Sequence, residues 1–160
     1  MSTPATVVDH AALKVNQTGI VLTVVAAFIG TYGAPYLLIL IPLLAIVLLL
    51  GTFAPQLALF KQLYFKVLKP RGLVKPRPVQ DRPEPHNFAQ GLGGVFLGVA
   101  SVFLAAPLFA GDFQPGPAIV IGLALSLLVA VLAFVNLAFG YCLGCQIFYQ
   151  LERSGVLKPS

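Results

Sequence analysis

The sequence predicts an all-α, polytopic membrane protein, because apolar residues dominate it and fall into four long runs. Hydrophobic residues make up 58% of the 160-residue chain and charged residues only 9%, whereas soluble domains carry about 25% charged residues. The mean hydropathy is +0.92. At roughly 20 residues per helical span, the chain has room for four spans with short connections. We therefore predict a single membrane domain over residues 1–160.

The four predicted transmembrane helices cover approximately residues 17–31, 36–53, 91–110 and 118–140. The segment "TYGAP" separates the first two spans, and "GDFQPGP", which is rich in helix breakers, separates the last two. This order predicts two helical hairpins joined by a polar connection, residues 54–90.

Two different structures are predicted within the connection. The stretch "PQLALFKQLYFKVLKP" places apolar residues at helical spacing with lysines among them, which is typical of an amphipathic helix in the membrane interface. The alternative is that span two continues past a kink at Pro55. The next stretch, "VKPRPVQDRPEP", has too many prolines for a helix or a central strand, and it predicts an extended Pro-rich strap.

The basic residues predict the orientation of the chain. Four spans place the N-terminus, the connection and the C-terminus on one side, and that side carries all ten basic residues, whereas the other side carries only Asp112. The positive-inside rule makes the basic side cytoplasmic. Seven basic residues in the connection predict contact with anionic lipid headgroups rather than nucleic acid: Lys61, Lys66, Lys69, Arg71, Lys75, Arg77 and Arg82. The others are Lys14, Arg153 and Lys158.

Both cysteines lie in "GYCLGC", at the predicted cytoplasmic end of span four. The cytosol keeps thiols reduced, so a disulfide between Cys142 and Cys145 would be transient and functional there. If the helix runs through Gly140, its C-terminal dipole opposes thiolate formation. If a new helix begins at Tyr141, Cys142 lies in a first turn and its thiolate is favoured. The residues leave both alternatives open.

A packing role for this segment is an alternative to thiol chemistry. Gly140 and Gly144 form a small-xxx-small pattern that lets helices approach closely, and Gly94 and Gly98 in span three form another. These patterns predict a contact between helices and permit a homo-oligomer. On a continuous helix Asn136 would lie on a different face from the cysteines, which predicts an interhelical hydrogen bond for it.

Metal binding is a further alternative, because two histidines lie near the predicted cytoplasmic face. His10 and His86 would complete a two-Cys, two-His set suited to zinc. The favoured interpretation pairs each histidine with an acidic neighbour, Asp9 or Glu84, and predicts neither a resident metal nor a cofactor. The predicted spans contain no charged residue, which argues against an ion channel or a proton-coupled pump.

Three segments, "VDHAALKVNQTG", "EPHNFAQGLGG" and "GYCLGCQIFY", together resemble the bacterial membrane family catalogued as domain of unknown function 4395. The resemblance covers nearly the whole chain and implies a bacterial cytoplasmic (inner) membrane. It also implies association with thioredoxin-like or rhodanese-like proteins, and hence thiol or sulfane-sulfur handling. His10 stands where the family pattern is variable. The pattern maps onto Asp9, Asn16, Gln17, Glu84, His86, Gln90, Cys142 and Cys145.

The leading hypothesis is a cytoplasm-facing dithiol that exchanges electrons or sulfur with a soluble thioredoxin-like or rhodanese-like partner. Cys142 would attack, Cys145 would resolve, and His86 with Glu84 would relay a proton or orient the site. The alternative is a noncatalytic membrane scaffold or small-molecule permeation unit in which the cysteines only pack. The sequence does not decide whether the protein is an enzyme.

Overall fold

The computed structural model describes residues 6–111 and 116–156, and helices make up most of them. Four helical segments are long and apolar enough to cross a membrane: His10–Gly33, Pro35–Phe53, Pro83–Ala110 and Pro117–Phe139. The elements in chain order are β1 (Thr6–Asp9), α1 (His10–Gly33), a 3-10 segment (Pro35–Ile39), α2 (Leu40–Phe53), a 3-10 turn (Pro55–Leu57), α3 (Leu59–Leu63), a π-helical turn (Tyr64–Leu68), β2 (Pro78–Asp81), α4 (Pro83–Ala110), α5 (Pro117–Phe139) and α6 (Leu143–Arg153). These four long apolar helices are typical of a multi-pass membrane protein. Asp112 and Lys158 lie outside the described residues.

Two of the long helices begin earlier than the apolar runs do. Helix α1 begins at His10 and α4 at Pro83, rather than near residues 17 and 91. The side chain of Asp9 caps α1 by accepting a hydrogen bond from the Ala11 amide at 3.1 Å, and Pro83 suits the first turn of a helix. The first two turns of both helices mix polar with apolar residues, so hydropathy alone places the helix starts too late.

The four long helices form a bundle with a continuous apolar core. Helix α4 packs against α2 and α5, and α1 packs against α5 and α2. The core includes Val24 of α1, Leu48 of α2, Leu97 and Leu104 of α4 and Val129 of α5. Many large apolar side chains face outward instead, including Leu22, Ile29, Val102 and Val120. Such a surface is unfavourable in water and favourable in lipid.

The helical part of the connection packs against the bundle. Tyr64 is fully buried, with 0% of its surface exposed, and lies in a small cluster with Ala11 and Ala12 of α1. Its hydroxyl donates a 2.8 Å hydrogen bond to Asp9 Oδ2. Burial, together with the hydrogen bond to Asp9 and the negative charge of Asp9, raises the pKa of Tyr64 to about 12. Part of the apolar stripe predicted for a lipid interface therefore contacts protein.

The carboxylate of Asp9 joins several segments. Its Oδ1 accepts the Ala11 amide of α1 and, at 3.0 Å, the Arg77 amide of the connection, and Lys69 lies 3.9 Å from Oδ2. Burial works to raise the pKa of Asp9, but the hydrogen bonds and Lys69 outweigh it and lower that pKa. One carboxylate thus connects the start of α1 to the connection.

The proline-rich segment forms one strand of a small antiparallel ribbon. Strand β2 pairs with β1 in the register Thr6↔Asp81, Val7↔Gln80, Val8↔Val79 and Asp9↔Pro78. A ribbon of two strands has only edges, and edge positions tolerate proline. Residues Pro78–Asp81 are extended, but Pro83 to Pro85 of the same predicted strap form the first turn of α4, where proline is tolerated. The pairing with the N-terminal segment was not predicted.

We predict that Tyr64→Phe destabilises the protein by about 1.5–3 kcal/mol, because it removes a buried hydrogen bond to a charged group. The measurement is the free energy of unfolding in detergent micelles. Tyr36→Phe is the matched control, because Tyr36 is 69% exposed and should cost little. An equal effect of the two substitutions contradicts the role of the Tyr64–Asp9 hydrogen bond.

Candidate functional site around Cys142 and Cys145

The helix that carries the fourth span ends before the cysteines. Helix α5 ends at Phe139, and Gly140 takes a left-handed conformation with a φ of 70°, which glycine adopts without steric cost. The chain is extended at Cys142, which caps the next helix, α6, beginning at Leu143. Of the two alternatives that the sequence left open, the structure has the helix break, but the new helix begins at Leu143 rather than Tyr141. Cys142 is therefore its N-cap residue instead of part of its first turn.

The two cysteines occupy different positions at the start of α6. Their Sγ atoms lie at disulfide-bonding distance, and their Cα atoms are 5.2 Å apart. The Cys145 amide donates a 3.2 Å hydrogen bond to Cys142 Sγ. Cys142 is half-buried, whereas only 7% of Cys145 is exposed. Cys142 is therefore the more accessible sulfur, and it lies at the positive end of the α6 dipole.

His86 of α4 contacts the buried cysteine. Its Nδ1 lies 3.6 Å from Cys145 Sγ, and its Nε2 lies 3.0 Å from Asp81 Oδ2. A carboxylate only accepts hydrogen bonds, so Nε2 carries the hydrogen in the neutral ring, and Nδ1 is then an acceptor facing Cys145. His10 Nε2 reaches the same Asp81 oxygen at 3.2 Å. The structure therefore aligns Cys145, His86, Asp81 and His10 in one chain of contacts.

The carboxylate beside His86 belongs to Asp81 rather than Glu84, the residue proposed from the sequence. Glu84 instead lies beside Arg82, with its Oε2 3.8 Å from Nε. Residues two apart on a helix face different directions, which separates Glu84 from His86. Asp81 ends β2 just before α4, and its carboxylate can reach back over the first turn. His10 likewise contacts Asp81, whereas Asp9 caps α1.

Helix α6 is held against the first turns of α4 by close packing and an ion pair. A Cβ on Gly144 would lie 2.6 Å from Ala89 Cβ, so only glycine allows this approach. The Arg82 guanidinium contacts the Glu152 carboxylate at 3.1–3.2 Å, and the rings of Phe88 and Phe148 are 5.5 Å apart. These contacts bring the cysteines to His86.

The two glycine patterns do not meet each other, in contrast to the prediction from their spacing. Gly94 packs against Leu48 and Leu49 of α2, while Gly98 and Gly140 have open space where a side chain would project. One glycine of each pair therefore makes a close contact, and the two contacts involve different neighbours.

A cavity of about 120 Å³ extends from Cys142 into the bundle between α1, α4 and α5. Asn136 lines it together with Cys142, His86 and Gln17. The prediction that Asn136 lies away from the cysteines assumed one continuous helix. Because the helix breaks at Gly140, Asn136 and Cys142 do not share a helix axis, and the predicted angle between them does not apply. Neither Asn136 nor Asp81 was assigned to the site from the sequence, because both assignments require knowledge of where the chain turns.

Within the part of the chain that the structure describes, two groups of three potential metal ligands share His86. His86, Cys142 and Cys145 offer ligand atoms within 4.8 Å of one another, and so do His10, Asp81 and His86. The first group matches the nitrogen and sulfur ligands of zinc, but only when the cysteines are present as thiolates. A disulfide excludes this use, so metal binding and disulfide exchange compete for the same sulfurs.

A family model supplies the relationship to known proteins. The model described as "Domain of unknown function (DUF4395)" matches residues 8–153. The chain belongs to this family. The DUF4395 match runs from β1 to the end of α6, so it includes Asp81, His86 and both cysteines. No curated protein and no solved structure matches the chain.

The Asp81 carboxylate gives the site a pH dependence. Burial works to raise its pKa, but hydrogen bonds from His86, Arg82 and His10 and the charge on His86 outweigh it and lower that pKa. A lowered pKa stabilises the folded state above the ordinary value of 3.8, and this contribution disappears as the pH falls through the folded-state pKa.

We therefore predict that Asp81→Asn destabilises the protein at neutral pH, and by progressively less as the pH falls through the acidic range. The stability difference from the wild type should shrink between about pH 6 and about pH 2, as the wild-type carboxyl also loses its charge. Unfolding free energies of the two proteins across this range provide the measurement. A difference that stays constant with pH contradicts the assignment.

Proposed function

We propose that the protein carries out thiol–disulfide exchange, or the related transfer of sulfane sulfur, with a soluble thioredoxin-like or rhodanese-like partner at the cytoplasmic face of a bacterial inner membrane. The observation that carries this proposal is the asymmetry of the two cysteines. Cys142 is accessible at the start of α6, and Cys145 is buried beside His86. Such an arrangement suits one attacking and one resolving thiol.

The exchange proceeds through a mixed disulfide and is reversible. In one direction, a partner thiolate attacks Cys142 Sγ, a new S–S bond forms, and Cys145 leaves as a thiolate that takes a proton. A second partner thiolate then attacks its own sulfur in the mixed disulfide and releases Cys142. The partner dithiol is oxidised to a disulfide and the Cys142–Cys145 pair is reduced to a dithiol.

Sulfur transfer would use the same two thiols. The Cys142 thiolate attacks the outer sulfur of a partner persulfide, takes that sulfur, and releases the partner thiolate. Cys145 then attacks Cys142 Sγ, forming the disulfide and releasing hydrosulfide. The partner persulfide is thereby reduced, and the two cysteines supply the electrons.

His86 would be the proton partner of Cys145 in both schemes, taking the proton when the Cys145 thiol attacks and returning it when Cys145 leaves as a thiolate. With the hydrogen on Nε2 held by Asp81, Nδ1 can accept a proton from Cys145 3.6 Å away. Asp81 then stabilises the imidazolium that results. Glu84 would act indirectly, because its partner Arg82 holds α6 through Glu152.

In the proposed membrane topology, α1–α2 and α4–α5 form two helical hairpins, and both termini and the connection lie in the cytoplasm. Five basic residues of the connection are exposed and could contact anionic headgroups: Lys66, Lys69, Arg71, Lys75 and Arg77. Lys69 also lies 3.9 Å from Asp9. Lys61 suits this role less, because it donates to Asn87 and its burial lowers its pKa. The segment Leu59–Leu68 would lie at the interface, with Leu63 and Phe65 outward and Tyr64 inward.

We predict that Cys142 alone forms a mixed disulfide quickly. The probe is a thioredoxin with one active-site cysteine, activated as its thionitrobenzoate disulfide, added to the reduced full-length protein in lipid vesicles. Cys145→Ser keeps Cys142 and should release thionitrobenzoate at least about tenfold faster than Cys142→Ser, whose remaining thiol is buried.

The wild type should also release thioredoxin afterwards, because Cys145 resolves the complex. Cys145→Ser should retain it. Equal rates in the two variants contradict the proposal and favour a scaffold in which the cysteines only pack. A wild type that never releases thioredoxin contradicts the role of Cys145.

A further inference from the structure

The cavity behind Cys142 has the size of a single ring. Its volume of about 120 Å³ is close to that of an engineered apolar cavity of about 150 Å³ that binds benzene. It is far larger than a water site, which needs only about 10–15 Å³. A small planar molecule therefore fits between α1, α4 and α5.

The lining of the cavity changes from polar to apolar along each long helix. The polar residues Gln17, His86 and Asn136 lie nearer the helix ends on the Cys142 side, and the apolar residues Ile20, Phe96 and Leu132 follow about one to three turns farther along α1, α4 and α5. No Asp, Glu, Lys or Arg of the described residues lines it. A charged ligand is therefore disfavoured, and a lipid-soluble ligand with one polar end matches the gradient.

Two amides at the polar end offer hydrogen bonds to such a ligand. The side chains of Gln17 and Asn136 form no hydrogen bond to any other residue within the described ranges, whereas Gln90 donates to Leu48 O at 3.1 Å. Each amide supplies NH₂ donors. Carbonyl oxygens on the occupant would satisfy them.

The dithiol adds a chemical requirement. Cys142 lines the cavity directly, so an occupant lies next to a sulfur that must be reoxidised after each exchange with a partner dithiol. Reoxidation removes two electrons and two protons. The occupant must therefore be apolar, ring-shaped, rich in carbonyl acceptors and able to accept two electrons.

We propose that this cavity binds the ring of a lipid-soluble quinone, which oxidises the Cys142–Cys145 dithiol. This inference rests on the proposed function and names its electron acceptor. The polar end of the ring lies at Gln17 and Asn136, and the hydrocarbon tail follows the apolar walls toward the bilayer.

The reaction balances with the groups present and one quinone. The Cys142 thiolate adds to a ring carbon, a C–S bond forms, and the electron pair moves to a ring oxygen, which takes a proton. Cys145 loses its proton to His86, and its thiolate attacks Cys142 Sγ. The S–S bond forms, the C–S bond breaks with its electrons left on the ring, and the second oxygen takes a proton. One dithiol and one quinone give one disulfide and one hydroquinone.

The test uses the reduced full-length protein in lipid vesicles without oxygen, with a decyl-substituted benzoquinone as the probe. Quinone absorbance and maleimide labelling of the thiols are followed together. We expect one quinone consumed for each disulfide formed. A dithiol that exchanges with thioredoxin but is not oxidised by the quinone overturns the cavity assignment and leaves the proposed function standing. A dithiol that reacts with neither overturns both.

Variants of cavity residues distinguish oxidation of the dithiol by a quinone bound in the cavity from oxidation by a quinone at the protein surface. Ala133→Phe fills the cavity, because Ala133 lines it, and should slow oxidation by quinone at least about tenfold while the thioredoxin reaction is unchanged. Val131→Phe is the matched control, because Val131 is 49% exposed on the outer face of α5. Equal rates in both variants and the wild type overturn the proposal.

Asn136→Leu keeps the proposal testable if Ala133→Phe does not fold. It removes one hydrogen-bond donor with little change in size and should raise the KM for quinone about fivefold. The thioredoxin reaction should not change, because Asn136 contacts no partner in the proposed exchange. An unchanged KM overturns the assignment of the ring to this end of the cavity.

Discussion

The close approach of α6 to α4 at Gly144 and Ala89 is the contact on which the rest of the site depends. A Cβ at position 144 would lie 2.6 Å from that of Ala89, so the two helices meet at a distance that only glycine permits. The left-handed turn at Gly140 directs α6 there. Together they convert the end of a membrane span into a helix N-terminus with a cysteine on it. Without the turn, Cys142 would stand at the negative end of a dipole.

The connection between the second and third long helices supplies the other half of the site. It pairs with β1, is anchored by Tyr64 to Asp9, and ends at Asp81 beside two histidines from different helices. Arg82 follows at once and binds Glu152 of α6. The start of α1, the connection and α6 therefore meet around His86. The hydrogen bond to Asp81 fixes the His86 ring so that Nδ1 faces Cys145. Since each anchor involves a buried or half-buried polar group, loss of one leaves its partner unsatisfied.

Composition and hydropathy were sufficient to predict the class of fold, because four long apolar helices follow from local residue content. Cys142, Cys145 and His86 were singled out by residue type, and the structure places the three close together. What the sequence could not provide was the path of the chain between helices, and hence which side chains meet at the site. The position of Asp81 depends on β2 pairing with a segment some 70 residues away, and that of Asn136 depends on the turn at Gly140. Glu84 was the nearest acid in sequence, but helix geometry turns it toward Arg82. Strand pairing depends on contacts between residues distant in sequence, and the residues around Gly140 are compatible with a helix that continues or one that ends. Local sequence patterns therefore do not determine either feature.

The central claim is that the helix break makes Cys142 the activated thiol of the pair. The most direct measurement is the rate of alkylation of each cysteine against pH in the fully reduced protein, resolved by mass spectrometry. Cys142 should react faster than Cys145, and its half-maximal rate should occur below the ordinary thiol pKa of about 8.5. If Cys145 reacts as fast as Cys142, or if Cys142 responds to pH like an ordinary thiol, the claim is contradicted.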